Sequence, residues 1–221
     1  ILGYTFPYSY KELIEEEIEL TVFREDTLAQ LSEIATRLGK KAYVHVKVDT
    51  GMHRIGILPD ESGLDFMKKL LQYDNIVLRG MFSHLATADE TDKSAANEQI
   101  RVFLDFIKRT EECFSVQIPM KHCFNSAGIM DLKNDALNIA RIGIAMYGIF
   151  PSDDMQNQME LKPALSLRSH IVYIKTLPKG CPISYGGTFI TKEETKEATI
   201  PVGYGDGYPR GLSNCGYVLI H

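Results

Sequence analysis

The sequence predicts an α/β fold: a partial TIM-type (β/α)8 barrel with about six strands over residues 1–155, then the start of an antiparallel β domain over 156–221. Three observations carry this. Short β-branched runs alternate with helical patterns as far as residue 150, which implies a parallel sheet with helices outside it. After Pro151-Ser152-Asp153-Asp154 the helical period gives way to alternation near two. Several strands also run into polar, glycine-bearing clusters, the place where barrels gather chemistry.

The strands expected in the first part are Ile1–Gly3, Leu20–Phe23, Tyr43–Val48, Ile76–Ser83, His122–Phe124 and Ile139–Ile142. Between them Leu28, Leu31, Ala35 and Leu38 keep helical spacing, as do Leu64, Met67 and Leu71. The clearest helix follows Asp92, with Ile100, Phe103, Leu104, Ile107 and Phe114 on one face. A closed barrel needs two more strands, expected upstream; the chain opens on ILGYTFPY without methionine and is read as a segment of a longer protein. In the second part Leu165–Leu177 alternates apolar and polar residues, followed by Ile183-Ser184-Tyr185 before a Gly-Gly turn, Ala198–Val202 and Tyr217–Ile220.

Composition narrows the function classes. The chain is 44% hydrophobic and 24% charged, as a globular protein should be. With 24 basic and 29 acidic residues its formal charge is -5, and no Lys/Arg run suits phosphate tracking, so nucleic acid is not an expected partner. Cys113, Cys123, Cys181 and Cys215 form no C-x-x-C pair; neither a metal site nor a disulfide framework is expected, and a reducing cytoplasm is the default location. The longest apolar run, Ile142–Phe150, falls short of the ~20 residues that span a bilayer, although a membrane-anchored parent stays open.

The polar clusters are Lys47 through Gly56, Ser83 through Asp89, Asn125 through Gly128, Arg141 through Gly148, and Gly203 through Tyr208 in the β part. Each has a plainer reading when taken singly. Lys47 is equally well a side chain snorkelling out of a strand, and Arg54 a loop cap. A lone histidine such as His84 is more often structural than catalytic. Asn125-Ser126 and Gly203-Tyr204-Gly205-Asp206-Gly207 both suit simple turns. Their joint placement at strand ends is what favours a site.

The segments DTGMHRIG, SHLATAD, HCFNSAG, ARIGIAMYG and IPVGYGDGYPR, in this order and spacing, resemble the motif series of the alanine racemase family, and the likeness spans nearly the whole chain. YPRGLSN also resembles the alanine/serine racemases found with glycopeptide resistance. The resemblance implies a pyridoxal 5'-phosphate (PLP) enzyme, a barrel followed by a β domain, working as a head-to-tail homodimer on a small amino acid and supplying D-alanine for peptidoglycan. By motif position, Arg141 would meet the pyridine nitrogen, and an arginine there keeps its proton, so the ring nitrogen stays bare. Arg54 would bind the phenolic oxygen and approach the substrate carboxylate. Lys47 matches a carbamylated lysine that fixes Arg54. His84 would link Arg141 to Tyr204, the latter an acid/base group reaching the site from the neighbouring subunit. Ser126, with the backbone at Gly143 and Ile144, would hold the phosphate on uncharged donors at a helix start.

The resemblance also implies an opposed acid/base group, the lysine that carries the cofactor, in a segment of Lys-Ala-Asn-Ala-Tyr type. No such segment occurs in the sequence, so this chain alone is not expected to be competent. The alternatives are a serine racemase, a PLP decarboxylase on the same barrel, and a non-catalytic PLP-binding barrel protein. A decarboxylase would carry an acid where this chain has Arg141, and a non-catalytic protein would be a lone barrel without the segment that bears Tyr204.

Overall fold

The computed structural model describes residues 1–157 and 159–220. The chain divides into two compact units, Ile1–Ala164 and Leu165–His221. In the first unit the order is α1 (Tyr10–Glu15), β1 (Leu20–Val22), α2 (Glu25–Leu38), β2 (Ala42–Lys47), α3 (Glu61–Leu70), β3 (Ile76–Phe82), α4 (Ser94–Phe114), β4 (Met120–His122) and α5 (Ser126–Asp131). The strands form one parallel sheet in the order β1-β2-β3-β4, the arrangement expected of consecutive β-α units.

The helices bury the faces that their spacing marks. Leu28, Leu31 and Ala35 of α2 are wholly buried, and α4 buries Ile100, Phe103 and Ile107. Gly39 closes α2 in the left-handed conformation, with the Gly39 and Lys40 N–H groups turned back onto the last helical carbonyls. In β2 the side chains alternate: Val44 and Val46 lie on one face, His45 and Lys47 on the other. Both faces are buried, so the second carries polar groups into an interior.

Two expected strands are not strands. Ile1–Gly3 runs beside β1, where the Ile1 ammonium donates to the Glu19 carbonyl at 2.8 Å and Thr21 Oγ1 to the Ile1 carbonyl at 2.6 Å, but a side chain has replaced a ladder bond. Ile139–Ile142 lies beside β4 in the same manner. Asn138 N donates to the Lys121 carbonyl at 3.0 Å, yet the Asn138 side chain takes the return bond from Lys121 N at 2.8 Å. Both segments keep strand-like company through isolated backbone bonds, among them Arg141 N to the Phe124 carbonyl at 3.1 Å, without forming a ladder.

In the second unit β5 (Tyr173–Leu177) pairs antiparallel with β8 (Thr195–Thr199), and β6 (Pro182–Ile183) with β7 (Phe189–Ile190). The expected strands are longer than those formed. Leu165–His170 has no regular structure, and Ser184 at φ 60° turns Tyr185 out of its strand. Pro201, which has no N–H to donate, lies in the part of Ala198–Val202 that leaves the ladder. Tyr217–Ile220 finds no ladder partner among the described residues. Tyr173 and Ile174, neighbours on opposite faces of β5, are both more than half exposed, so the alternation does not mark a buried face within this unit.

No described helix is long and apolar enough to cross a membrane.

Candidate functional site

A cavity of about 460 Å³ opens at the ends of β2, β3 and β4 in the first unit. Lys47, Arg54, His84, Ser126, Arg141, Gly143 and Ile144 all line it, together with Phe82, Asp89 and Asn125. Seven of the eight residues singled out from the sequence are thereby brought together. Tyr204, the eighth, lies in a short turn of the second unit, 74% exposed, with the Arg210 guanidinium 5.9 Å from its ring.

The loop after β2 is shaped by Asp49, whose Oδ1 accepts from the Gly51 and His53 N–H groups at 3.1 and 2.9 Å. It folds back so that Ile57 N donates to the Lys47 carbonyl at 2.9 Å. Gly56 allows this: at φ 136°, a Cβ there would stand 2.7 Å from Asp49 N. Buried Gln99 of α4 ties this loop to the one after β3. It accepts from Ala86 N at 2.9 Å and donates to the His84 carbonyl at 3.2 Å and Thr50 Oγ1 at 3.4 Å. Thr50 and Ser83 hydroxyls join the two loops directly at 2.6 Å.

Lys47 is 2% exposed, with Nζ 5.1 Å from the Phe82 ring centre and, among the described residues, no carboxylate within ion-pairing distance. Burial, with Arg141 beside it, pushes its ammonium down to about 7. Arg141 NH2 donates to the Ser83 carbonyl at 2.7 Å and contacts His84 Nδ1 at 3.4 Å; NH1 donates to His122 Nδ1 at 2.9 Å. Among the described residues no carboxylate pairs with it, and burial lowers its guanidinium to about 10, still charged at neutral pH. Burial and then the charge of Arg141 hold His84 at about 4 and His122 at about 3, so both rings are neutral at pH 7. The mouth and floor of the cavity thus carry Arg54 and Arg141 against the single carboxylate of Asp89.

At the far wall, Asn125 caps α5 by accepting from Gly128 N at 2.9 Å. Ser126 Oγ accepts from Gly143 N at 2.9 Å and Ala145 N at 3.3 Å, which leaves its own proton free to donate. Asn125-Ser126 therefore forms a turn that still leaves the Ser126 hydroxyl a donor at the cavity wall.

Sequence reasoning misses three residues behind Arg141 and Phe82. His122 was placed as the start of a strand only, and His45 and Glu19 were not singled out. Polar residues at positions two apart on a buried parallel strand, His45 and Lys47, were the signal available.

The family model for the alanine racemase N-terminal domain matches residues 1–151, and that for the alanine racemase C-terminal domain matches 164–221. The chain is 44% identical over 220 residues to an alanine racemase of Halothermothrix orenii, covering 100% of this chain and 58% of that relative. Among solved structures it resembles an alanine racemase of Clostridium difficile 630, with TM-score 0.85 and 41% identity, covering 95% of this chain and 55% of the other. A histidine racemase of Leuconostoc mesenteroides is also similar, with TM-score 0.79 and 28% identity over 95% of this chain and 56% of that one. The chain spans somewhat more than half the length of the curated relatives it matches. With both domain models matched in order along the sequence, the chain belongs to the alanine racemase family.

Proposed function

We propose that the protein, at the length of its relatives, is a PLP-dependent racemase that interconverts L- and D-alanine and supplies D-alanine for peptidoglycan. The observation that carries this reading is Arg141: a half-buried guanidinium on the cavity floor, braced by neutral imidazoles and carbonyls and, among the described residues, by no carboxylate. The cavity fits an anionic ring-bearing cofactor. It is of ligand size, its walls are mainly apolar with a few convergent polar groups, and its charge is predominantly positive.

When bound, PLP supplies an electron sink that acidifies the α-proton of an attached amino acid. Ser126 and the backbone at Gly143 and Ile144 would hold its phosphate, with the free Ser126 proton as one donor. Arg141 would face the pyridine nitrogen. As a donor that keeps its proton at neutral pH, it would leave that nitrogen bare, which would limit electron withdrawal and favour return of the proton over side reactions. A decarboxylase would place an acid there. Arg54 at the cavity mouth would take the substrate carboxylate.

Lys47 is set up for carbamylation. Near neutral pH much of it is an amine whose lone pair can attack the carbon of CO₂; the amine then loses a proton to solvent, leaving an anionic carbamate in place of a cation. That anion would steady Arg54. Tyr204, exposed in its own unit, suits delivery to a neighbouring subunit's site, and this supports a homodimer. There it would move a proton on one face of the α-carbon. The opposed group in the family, a cofactor-bearing lysine, has no matching segment in this sequence, so the activity is proposed for the longer protein.

The test is a chirality-resolved assay of full-length protein loaded with PLP, on L-alanine and L-serine, together with a ¹³C spectrum under labelled CO₂. The expected outcome is conversion of L-alanine to an equal mixture of enantiomers, faster than serine, and a carbamate resonance that Lys47→Ala removes. Inactivity on alanine, or preference for serine, would overturn the substrate assignment. Absence of the resonance would overturn the role of Lys47.

A further inference from the structure

We infer that Glu19 and His45 are positioning residues for Arg141, acting through His122 along a one-directional chain of hydrogen bonds that ends on the Glu19 carboxylate. The inference rests on the racemase reading for its functional consequence, and on geometry alone for the chain itself.

The links are continuous. Arg141 NH1 lies 2.9 Å from His122 Nδ1, His122 Nε2 lies 3.0 Å from His45 Nδ1, and His45 Nε2 lies 2.6 Å from Glu19 Oε2. The proton positions follow from chemistry. A guanidinium only donates, so His122 Nδ1 must accept. A neutral imidazole carries one N–H, which on His122 must then sit on Nε2 and point at His45. His45 Nδ1 therefore accepts, its own N–H sits on Nε2, and it donates to the carboxylate. An imidazolium at His45 would aim two protons at one link, so the chain also excludes it. Both rings are buried, which favours the neutral form at each.

Three local features are built around this chain. The pairing of β2 with β3 skips Arg79, passing from Val44↔Leu78 to His45↔Gly80, and Arg79 Nε donates to Glu19 Oε1 at 2.9 Å. Gly80 makes room for the His45 ring: a Cβ there would stand 2.7 Å from His45 Nδ1 and 2.5 Å from the Met120 carbonyl. Phe82 stacks on His122 with centroids 4.9 Å apart and planes 2° apart, fixing the ring that grips Arg141. Although partial burial works against it, hydrogen bonds from His45 and Arg79 leave the Glu19 carboxyl below the usual range, so it is an anion at neutral pH. Arg141 thus has a counter-charge, reached through two neutral rings. The guanidinium keeps a fixed direction and a full charge at the point where the cofactor nitrogen would sit.

The test compares wild-type and Glu19→Ala full-length protein by ¹⁵N NMR of the imidazoles without cofactor, and by steady-state kinetics with PLP. In the wild type, His45 and His122 should both appear neutral and protonated at Nε2 at pH 7. In Glu19→Ala both rings should keep the Nε2–H tautomer that Arg141 imposes, but the Nε2–H resonances of His45 and then His122 should shift upfield as their hydrogen bonds weaken. kcat should fall about tenfold, short of the ~100-fold that a misplacement of about 1 Å can cost, with KM within roughly threefold. A packing role alone would lower stability without moving the His122 resonance, which Glu19 does not touch. Nδ1 protonation or an imidazolium in the wild type would overturn the chain whatever the variant does. So would unchanged Nε2–H resonances or unchanged kcat in a folded Glu19→Ala. If wild-type protein fails to racemise any amino acid, the racemase reading falls, while the NMR arm still decides the chain.

Discussion

Tyr204 and Arg141 show how differently two residues of one proposed site are supported. Arg141 is defined by its neighbours: each bond it makes is to a neutral acceptor, so its charge stays available to the cavity. Tyr204 has no such surroundings within its own unit, where it is simply an exposed turn residue. Its role is therefore best tested by chemistry. Full-length Tyr204→Phe keeps the ring and removes only the hydroxyl, so folding and PLP binding should survive. Racemisation should drop by about 10²–10⁴-fold, the worth of a positioned acid/base group. The loss should also be one-sided. Solvent exchange of the α-proton should collapse starting from L-alanine and persist from D-alanine. Equal retention of both exchange rates would reduce Tyr204 to a turn residue and remove the two-base reading.

Among the elements, α4 connects packing to the site. Its apolar face holds it on the sheet, and that docking carries Gln99 to a place where one amide serves two loops. Gln99→Leu would keep the bulk but leave Ala86 N–H and the His84 carbonyl without their partner. The expected cost is roughly 2 kcal/mol, within the penalty for buried polar groups left unpaired. A lower urea midpoint with an unchanged slope would show it. A midpoint equal to wild type would mean that water replaces the amide. The α4 face was legible because helical spacing reports burial directly. The role of Gln99 was not, since a polar residue on an apolar face declares only that it has a partner, not which one. The same limit applied to Asn138, whose side chain stands in for a backbone bond and so removes an expected strand.

For the whole molecule, the neutral buried histidines set a pH dependence. Folded His84 and His122 hold protons only near 4 and 3, whereas in the unfolded chain a histidine titrates near 6.5. As pH falls below about 6.5 the unfolded state takes up protons that the folded state refuses, so stability falls with pH from there down to about 3. The lowered carboxyls, among them Glu19, Asp49 and Asp131, act in the same direction but only near and below the ordinary carboxylate range. The interval between pH 6.5 and 5 therefore belongs to the histidines. Urea midpoints of full-length protein should decline across it, and His122→Gln should flatten the decline. A midpoint already flat in the wild type would contradict neutral burial. Lys47 works at the other end: lowered to about 7 from an ordinary 10.5, it makes stability rise with pH between those values.

By itself the sequence determined the β-α alternation, the apolar faces of α2, α3 and α4, the change of pattern after Pro151, and the clusters that meet at the cavity. These are local or periodic properties: 3.6- and 2-residue repeats report which faces are buried, and turn residues report where strands end. Only the tertiary structure decided the rest. It left Ile1–Gly3 and Ile139–Ile142 without ladders, because a strand exists only through a partner's backbone groups. It also joined Glu19, His45, His122 and Arg141, which lie as far apart as 122 positions in the chain and come within hydrogen-bonding reach only when four parallel strands lie side by side. Hydrogen bonds between side chains on different strands depend on register and on the space a glycine leaves, and neither has a period for a single sequence to show.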